Sequence, residues 1–178
     1  MKSQTLLAVT FRHKNLEKLC IPNYKYIAIK NNIIYNKKET YNISSILNNI
    51  EFDTILCMNH FSVFVSDNTS DLLNLLNSED TCIILPKIEN NMPINLVPMI
   101  IKNCKWSNDF IKKYTFSNLY NLACFIKTFG LIDSPHIRYT DMISTLNTKQ
   151  TIIQQQIEYD MASIKQNITK INKNLGIL

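Results

Sequence analysis

The chain has 178 residues, of which 46% are hydrophobic and 19% are charged, and its formal net charge is +5. This length predicts one globular domain with an appendage, because a domain averages about 150 residues, and the apolar fraction excludes wholesale disorder. A membrane-spanning helix is excluded because no run of about 18 consecutive apolar residues occurs.

The residue usage indicates an AT-rich genome. The chain contains 27 isoleucines and 23 asparagines but only two arginines and two glycines, a bias typical of a virus, a phage, or an AT-rich bacterium or organelle. Gly130 and Gly176 are too few for a Walker loop, a G-x-G-x-x-G turn or a glycine-based nucleophile elbow. The start lacks a signal-peptide cleavage pattern, so we expect a cytoplasmic or virion-associated protein.

The positive charge is spread along the chain rather than gathered into a stripe. With only Arg12 and Arg138 to make forked contacts to base edges, nucleic acid is not an expected partner. The five cysteines are at least 20 residues apart, so C-x-x-C zinc and redox patterns are absent. Cys57 and Cys82 lie inside apolar runs, which predicts that they are buried as small hydrophobic residues.

Up to residue 88 the hydrophobic pattern alternates between strand-like and helix-like segments. Short apolar runs rich in β-branched residues predict strands, and apolar residues three and four positions apart predict helices. The predicted strands are residues 5–11, 24–29, 53–58 and 81–88, with extended pieces at 33–35 and 61–65. The predicted helices are residues 15–20, 40–50 and 68–78.

Residues 89–98 are predicted to form a loop, and residues 98–102 fit either a helix or a strand. Helices are predicted at 107–114, capped by Ser107, and at 117–129, ended by Gly130. The alternation predicts an α/β fold with a mostly parallel sheet and flanking helices. Residues 1–135 would form a globular head, with a strand–helix half at 1–90 and a mainly helical half at 99–130. The predicted core includes Leu7, Val9, Ile27, Ile55, Leu56, Ile83 and Ile84.

The C-terminal segment carries a heptad pattern. Its apolar residues are spaced alternately four and three positions apart, with polar residues between them. They are Ile157, Met161, Ile164, Ile168, Ile171, Leu175 and Leu178. The pattern predicts a long coiled-coil-like helix over residues 139–178, continuous from about 141 to 175.

Two interpretations of this helix remain open. A narrow apolar row is typical of a coiled-coil seam, which favours self-association or pairing with partner helices through Ile157, Met161, Ile164, Ile168, Ile171 and Leu175. The other interpretation is an amphipathic helix that packs on its own domain. The first makes the chain a head with an oligomerisation stalk, a layout common in assembly proteins.

Residues 53–76 resemble the central strand and following helix of a GT-A glycosyltransferase. In that family an apolar strand leads into Asp-x-Asp, which holds a divalent metal and the diphosphate of a nucleotide sugar. The matching positions here are Asn59, His60 and Phe61, so neither carboxylate is present. The resemblance implies that residues 6–88 are a nucleotide-binding half with Asn59 and His60 at the cofactor position. A hard metal ion prefers charged oxygen ligands, so the missing carboxylates argue against metal-dependent sugar transfer, and no metal site is predicted.

The histidines are the other candidates for chemistry. His13, His60 and His136 have no partner at helical spacing, and three scattered histidines are a weak basis for a zinc site. His60 is the best candidate of the three, because strand ends in α/β sheets often host binding sites. The aromatic group around Trp106 and Phe110 is better explained as core packing than as a base-stacking platform.

Three hypotheses follow. The leading one is a non-catalytic structural or assembly protein of a virus or phage, with no resident cofactor. The alternative is a GT-A-like glycosyltransferase, or a decayed relative that still binds a nucleotide sugar. The third is a lysine-based nucleic-acid accessory protein.

Overall fold

The computed structural model describes residues 4–38, 51–59, 61–87, 98–114, 134–144, 148–156 and 160–178. The predicted helices at 40–50 and 117–129 lie outside these residues. Within the described part, no helix is both long and apolar enough to cross a bilayer.

The first three elements form a parallel β-α-β unit. Strand β1 (Thr5–Thr10) confirms the first predicted strand, helix α1 (Lys14–Lys30) follows, and β2 (Ile34–Lys38) pairs in parallel with β1. The predicted strand at 24–29 is wrong, because those residues complete α1. Their alternating pattern is overridden by tertiary packing: Leu16, Cys20, Tyr24 and Ile27 recur every three or four residues and are all buried.

The central strand leads into a second, smaller sheet. Strand β3 (Thr54–Asn59) pairs in parallel with β1 on the side away from β2, and β4 (Ser62–Phe64) follows after a tight turn. Both confirm predicted extended segments. The predicted helix at 68–78 is a short helix α2 (Ser70–Asn74) continued by one 3₁₀ turn (Leu75–Asn77).

The main sheet is mixed rather than mostly parallel. Strands β5 (Ile83–Pro86) and β6 (Met99–Lys102) pair antiparallel, and β6 also runs antiparallel to β3. The ambiguous residues 98–102 are therefore a strand. Helix α3 (Lys105–Tyr114) follows β6. It begins two residues earlier than predicted, because Ser107 caps it from within the first turn by accepting a hydrogen bond from the Cys104 amide.

The predicted continuous helix over 141–175 is wrong. Strand β7 (Ile137–Thr140) ends just before it, and two short strands, β8 (Ile143–Ser144) and β9 (Ile153–Gln155), occupy its N-terminal half. Strand β7 pairs with β5, which gives the six-stranded order β2-β1-β3-β6-β5-β7, and a three-stranded sheet has the order β4-β9-β8. The helical part is α4 (Met161–Asn174), 14 residues long and capped by Asp160.

The strands replace the predicted helix because they bury the isoleucines of residues 143–153. Ile143 and Ile153 of the small sheet, with Ile152 just before β9, are buried in the core, and the strand pairing of β8 and β9 replaces the helix predicted there. Asp160 then starts α4 by accepting hydrogen bonds from the Ala162 and Ser163 amides at 3.2 and 3.0 Å.

One hydrophobic core joins α1, α4 and one face of the main sheet. All seven predicted core residues are buried, although Ile27 reaches the core from α1 rather than from a strand. Ile164, Ile168 and Ile171 of α4 are 4% exposed or less and belong to this same cluster. These three isoleucines are therefore covered within the chain itself.

Candidate functional site

Three parallel strands end at the same edge of the main sheet. The pairing places Thr10, the last residue of β1, between Lys38 of β2 and Asn59 of β3. Because β1 connects to β2 on one side and β3 lies on the other, the carboxyl ends of β1 and β3 lie at a switch point of the sheet. Open α/β sheets bind ligands at such points, so this edge is the candidate site.

Asn59 ends β3 and shapes the turn into β4. Its side-chain oxygen Oδ1 accepts hydrogen bonds from the Phe61 amide at 3.0 Å and from the Ser62 hydroxyl at 3.1 Å. The Tyr24 hydroxyl lies within hydrogen-bond distance of the carbonyl oxygens of Asn59, at 3.1 Å, and of Ser62. The turn is thus held from its own side chain and from α1.

Aromatic packing supports the residue that anchors this turn. The Tyr24 ring stacks on Tyr35 of β2, with centroids 6.2 Å apart, and meets Phe64 of β4 edge-on at 6.4 Å. Burial, together with the nearby Glu17 carboxylate, raises the pKa of the Tyr35 hydroxyl to about 12, so the hydroxyl stays protonated. The turn is therefore supported by packed aromatic rings from α1, β2 and β4.

The residues at the Asp-x-Asp position do not fit a divalent metal. Both acceptor positions of Asn59 Oδ1 are used within the turn. The Phe61 carbonyl oxygen accepts a hydrogen bond from the backbone amide of Gln156 at 2.6 Å. In the described ranges no three His, Cys, Asp or Glu side chains converge into a metal-binding group. Of the two predicted cofactor positions, Asn59 lies at the site and is committed to the turn, and His60 lies outside the described residues.

Gln156 is a residue of this site that sequence reasoning missed. It follows β9, its side chain is 6% exposed, and its Oε1 accepts a hydrogen bond from Asn167 Nδ2 at 2.6 Å. Its amide nitrogen Nε2 is buried and has no hydrogen-bond partner among the described residues. A buried donor without an acceptor is costly, so Nε2 is an unsatisfied polar group close to the turn at Asn59. The sequence does carry a signal for this strand end, because the short apolar run Ile152-Ile153 is followed by polar residues. The prediction of one long C-terminal helix assigned these residues to the helix instead.

Several basic residues end or follow β1 and β2, and one of them is paired with a carboxylate. Lys37 of β2 forms an ion pair with Glu17 of α1. Lys38 ends β2 in the register row of Asn59. Arg12 and His13 follow β1 and lie outside the described residues.

The remaining predicted site residues lie elsewhere. Ile164, Ile168 and Ile171 are buried in the core, Met161 and Leu175 are partly buried against it, and Ile157 lies outside the described residues. Self-association through this row stays a prediction. His136 lies near Cys82 at the other end of the main sheet.

No protein family and no curated protein matches the sequence. Among solved structures, the chain is similar to a glycosyltransferase involved in the glycosylation of the major capsid of PBCV-1. The two are 8% identical with a TM-score of 0.68, and the match covers 94% of this chain and 99% of that one. The predicted GT-A resemblance is thereby confirmed at the level of the fold.

A second solved structure gives a weaker match. A mutant Drosophila β1,4-galactosyltransferase 7, in complex with manganese, UDP-Gal and xylobiose, is 11% identical with a TM-score of 0.48. The match covers 92% of this chain and 79% of that one.

Proposed function

We propose that the chain binds a nucleotide sugar at the carboxyl edge of β1, β2 and β3, as a GT-A-like glycosyltransferase or as a relative that has kept only the binding. The observation that carries this proposal is the likeness to a glycosyltransferase over nearly the whole of both chains. Because the match covers 94% of this chain, it includes most of the C-terminal segment that the assembly hypothesis assigns to a stalk. In the described residues that stalk is replaced by β7, β8, β9 and a 14-residue helix.

The proposed binding does not use a metal held by Asp-x-Asp. Without such a metal, the charge of a diphosphate must be balanced by side chains, and the basic residues that end or follow β1 and β2 are the available ones. Lys38 is the best placed of these by register. The buried Gln156 Nε2 adds a neutral donor beside the turn at Asn59.

The proposal is tested by thermal unfolding with a panel of nucleotide sugars, each with Mn²⁺ and with EDTA. A ligand at 100 times its Kd stabilises the folded chain by about 2.7 kcal/mol, enough to raise the Tm by several degrees. We expect a rise with one nucleotide sugar that is the same in EDTA as in Mn²⁺, and none with the free sugar.

A matched pair of variants locates the site. Lys38→Ala should abolish the rise in Tm, whereas Lys173→Ala, which removes an exposed lysine on α4, should leave it intact. No rise with any nucleotide sugar would overturn the binding proposal. A rise that requires Mn²⁺ would overturn the metal-free part of it.

A further inference from the structure

Two cysteine sulfur atoms face each other at the edge of the main sheet opposite to Asn59. Cys82 precedes β5 and Cys104 follows β6, and because these strands are antiparallel neighbours, both residues lie at the same edge. Their Sγ atoms are 3.4 Å apart, and neither residue is in a disulfide. This pair is separate from the proposed nucleotide-sugar site.

The two thiols have different surroundings. Cys104 is partly exposed and immediately precedes α3, where its sulfur lies 3.4 Å from the Ser107 hydroxyl. Burial raises the pKa of Cys104, but its hydrogen bonds with the Ser107 hydroxyl and amide, the Cys82 thiol and the Trp106 amide outweigh burial and hold it below its ordinary value. Cys104 is therefore the thiol that ionises first, and it is the one that solvent reaches.

Cys82 lies behind Cys104. It is 4% exposed, and burial, with the hydrogen bond to Cys104, raises the pKa of its thiol to about 12. His136 lies beside it, with Nδ1 3.9 Å from the Cys82 sulfur. Since the Asp80 carbonyl lies 2.7 Å from Nδ1 and can only accept, Nδ1 carries a proton and donates it there. The Trp106 ring packs on His136 at 4.5 Å and covers this side.

We propose that Cys104 and Cys82 are a redox-active pair, which a hydroperoxide converts to an intrachain disulfide. The Cys104 thiolate attacks the terminal peroxide oxygen and the O–O bond breaks, so that Cys104 becomes a sulfenic acid and hydroxide leaves from hydrogen peroxide, or an alkoxide from an alkyl hydroperoxide. The Cys82 sulfur then attacks Cys104 Sγ, the S–O bond breaks, and the Cys82 proton leaves with the hydroxyl as water. Two thiols are oxidised by two electrons and one peroxide is reduced.

The geometry allows this bond with a small movement. The sulfur atoms must approach from 3.4 Å to about 2.05 Å, which side-chain rotation at the partly exposed Cys104 can supply. The bond would close the 22-residue span between the two cysteines and tie the start of β5 to the start of α3. Closing such a span restricts the unfolded chain, so oxidation should raise the Tm.

The experiment treats the reduced full-length chain with a few equivalents of hydrogen peroxide and then blocks remaining thiols with N-ethylmaleimide. Digestion with trypsin and Glu-C separates Cys82, in residues 80–87, from Cys57, and places Cys104 in residues 103–105. We expect non-reducing mass spectrometry to find these two peptides linked and Cys57 blocked. Recovery of both peptides carrying N-ethylmaleimide, or of Cys104 linked to another cysteine, would overturn the proposal.

Two variants separate the steps. In Cys82→Ser the sulfenic acid at Cys104 should persist and react with dimedone, and the rise in Tm on oxidation should be lost. In Cys104→Ser, Cys82 should stay reduced at the same dose of peroxide. Oxidation of Cys82 in Cys104→Ser would show that Cys104 is not the attacking thiol. The wild-type peptide map decides the proposal even if either variant folds poorly.

Discussion

The side chains of Asn23 and Asn172 are hydrogen-bonded to each other, with Asn23 Nδ2 3.2 Å from Asn172 Oδ1, although 149 residues separate them. Both are fully buried. Asn23 also bonds the amide and the carbonyl of Phe64, at 3.0 and 2.9 Å, and Asn172 Nδ2 donates to the Leu19 carbonyl at 2.8 Å. This network joins α1, β4 and α4 just behind the turn that Asn59 shapes.

The first prediction concerns this network. Asn172→Ala should lower the free energy of unfolding by about 1–3 kcal/mol, because it removes one acceptor and one donor from buried partners on α1. Urea denaturation measures the change. The control is Asn174→Ala, an exposed asparagine on the same helix, which should change stability by less than about 0.5 kcal/mol. Equal effects of the two substitutions would contradict the role of the network.

The second prediction concerns the apolar row of α4. Ile168→Ala should cost about 2–5 kcal/mol of stability, because Ile168 is fully buried in the chain's own core. Leu178→Ala, at a position 63% exposed, is the control and should cost little. Light scattering on both variants checks the mass in solution. A lower mass in Ile168→Ala with unchanged stability would instead support pairing between chains.

The third prediction compares two isoleucines that flank Leu6 in one row of the main sheet. Ile55 of β3 is fully buried and Ile34 of the edge strand β2 is 46% exposed, although both pair with Leu6. Ile55→Ala should cost about 2–5 kcal/mol and Ile34→Ala clearly less, because a half-exposed side chain loses less transfer free energy. Chemical denaturation of the two variants gives the comparison. A cost below about 0.5 kcal/mol for Ile55→Ala would show that β3 is not a core strand.

The fourth prediction concerns pH. The Ala162 and Ser163 amides lower the pKa of the Asp160 carboxyl, so the folded pKa lies below the unfolded one. Its stabilising contribution is therefore present above the unfolded value of about 3.9 and is lost as the pH falls through the folded value. Asp160→Asn keeps an oxygen acceptor but no charge. The Tm difference between wild type and this variant should shrink from pH 6 to pH 3, and a constant difference would contradict the assignment.

The fifth prediction concerns Gln156 and depends on the proposed function. Gln156→Leu removes a buried donor that has no hydrogen-bond partner among the described residues, which favours the folded state. It also removes the oxygen that accepts a hydrogen bond from Asn167, which disfavours the folded state. These effects oppose each other, so stability should change by no more than about 1 kcal/mol. The rise in Tm with a nucleotide sugar should be lost. Asn77→Leu, at an exposed position far along the chain, is the control and should retain it.

The sequence by itself determined the central strands and most of the core. Strands β1, β3 and β5 are buried on both faces, and such strands appear in a sequence as continuous runs of apolar and β-branched residues. The GT-A resemblance was also visible there, because an apolar strand, a turn and a helix follow one another within residues 53–76. These features depend on local pattern, which needs no knowledge of the partner surface.

Tertiary structure alone decided what each amphipathic segment packs against. Residues 24–29 alternate like a strand, yet Tyr24 and Ile27 face the same core as Leu16, so the helix continues. The apolar residues from Met161 to Leu175 lie on one face of α4. Their spacing in the sequence is the same whether α1 or another chain covers that face, so the spacing does not identify the partner. Cys82 and Cys104, like Asn23 and Asn172, meet only because the strands and helices that carry them are neighbours in the fold, and contacts between distant segments leave no periodic signal in the sequence.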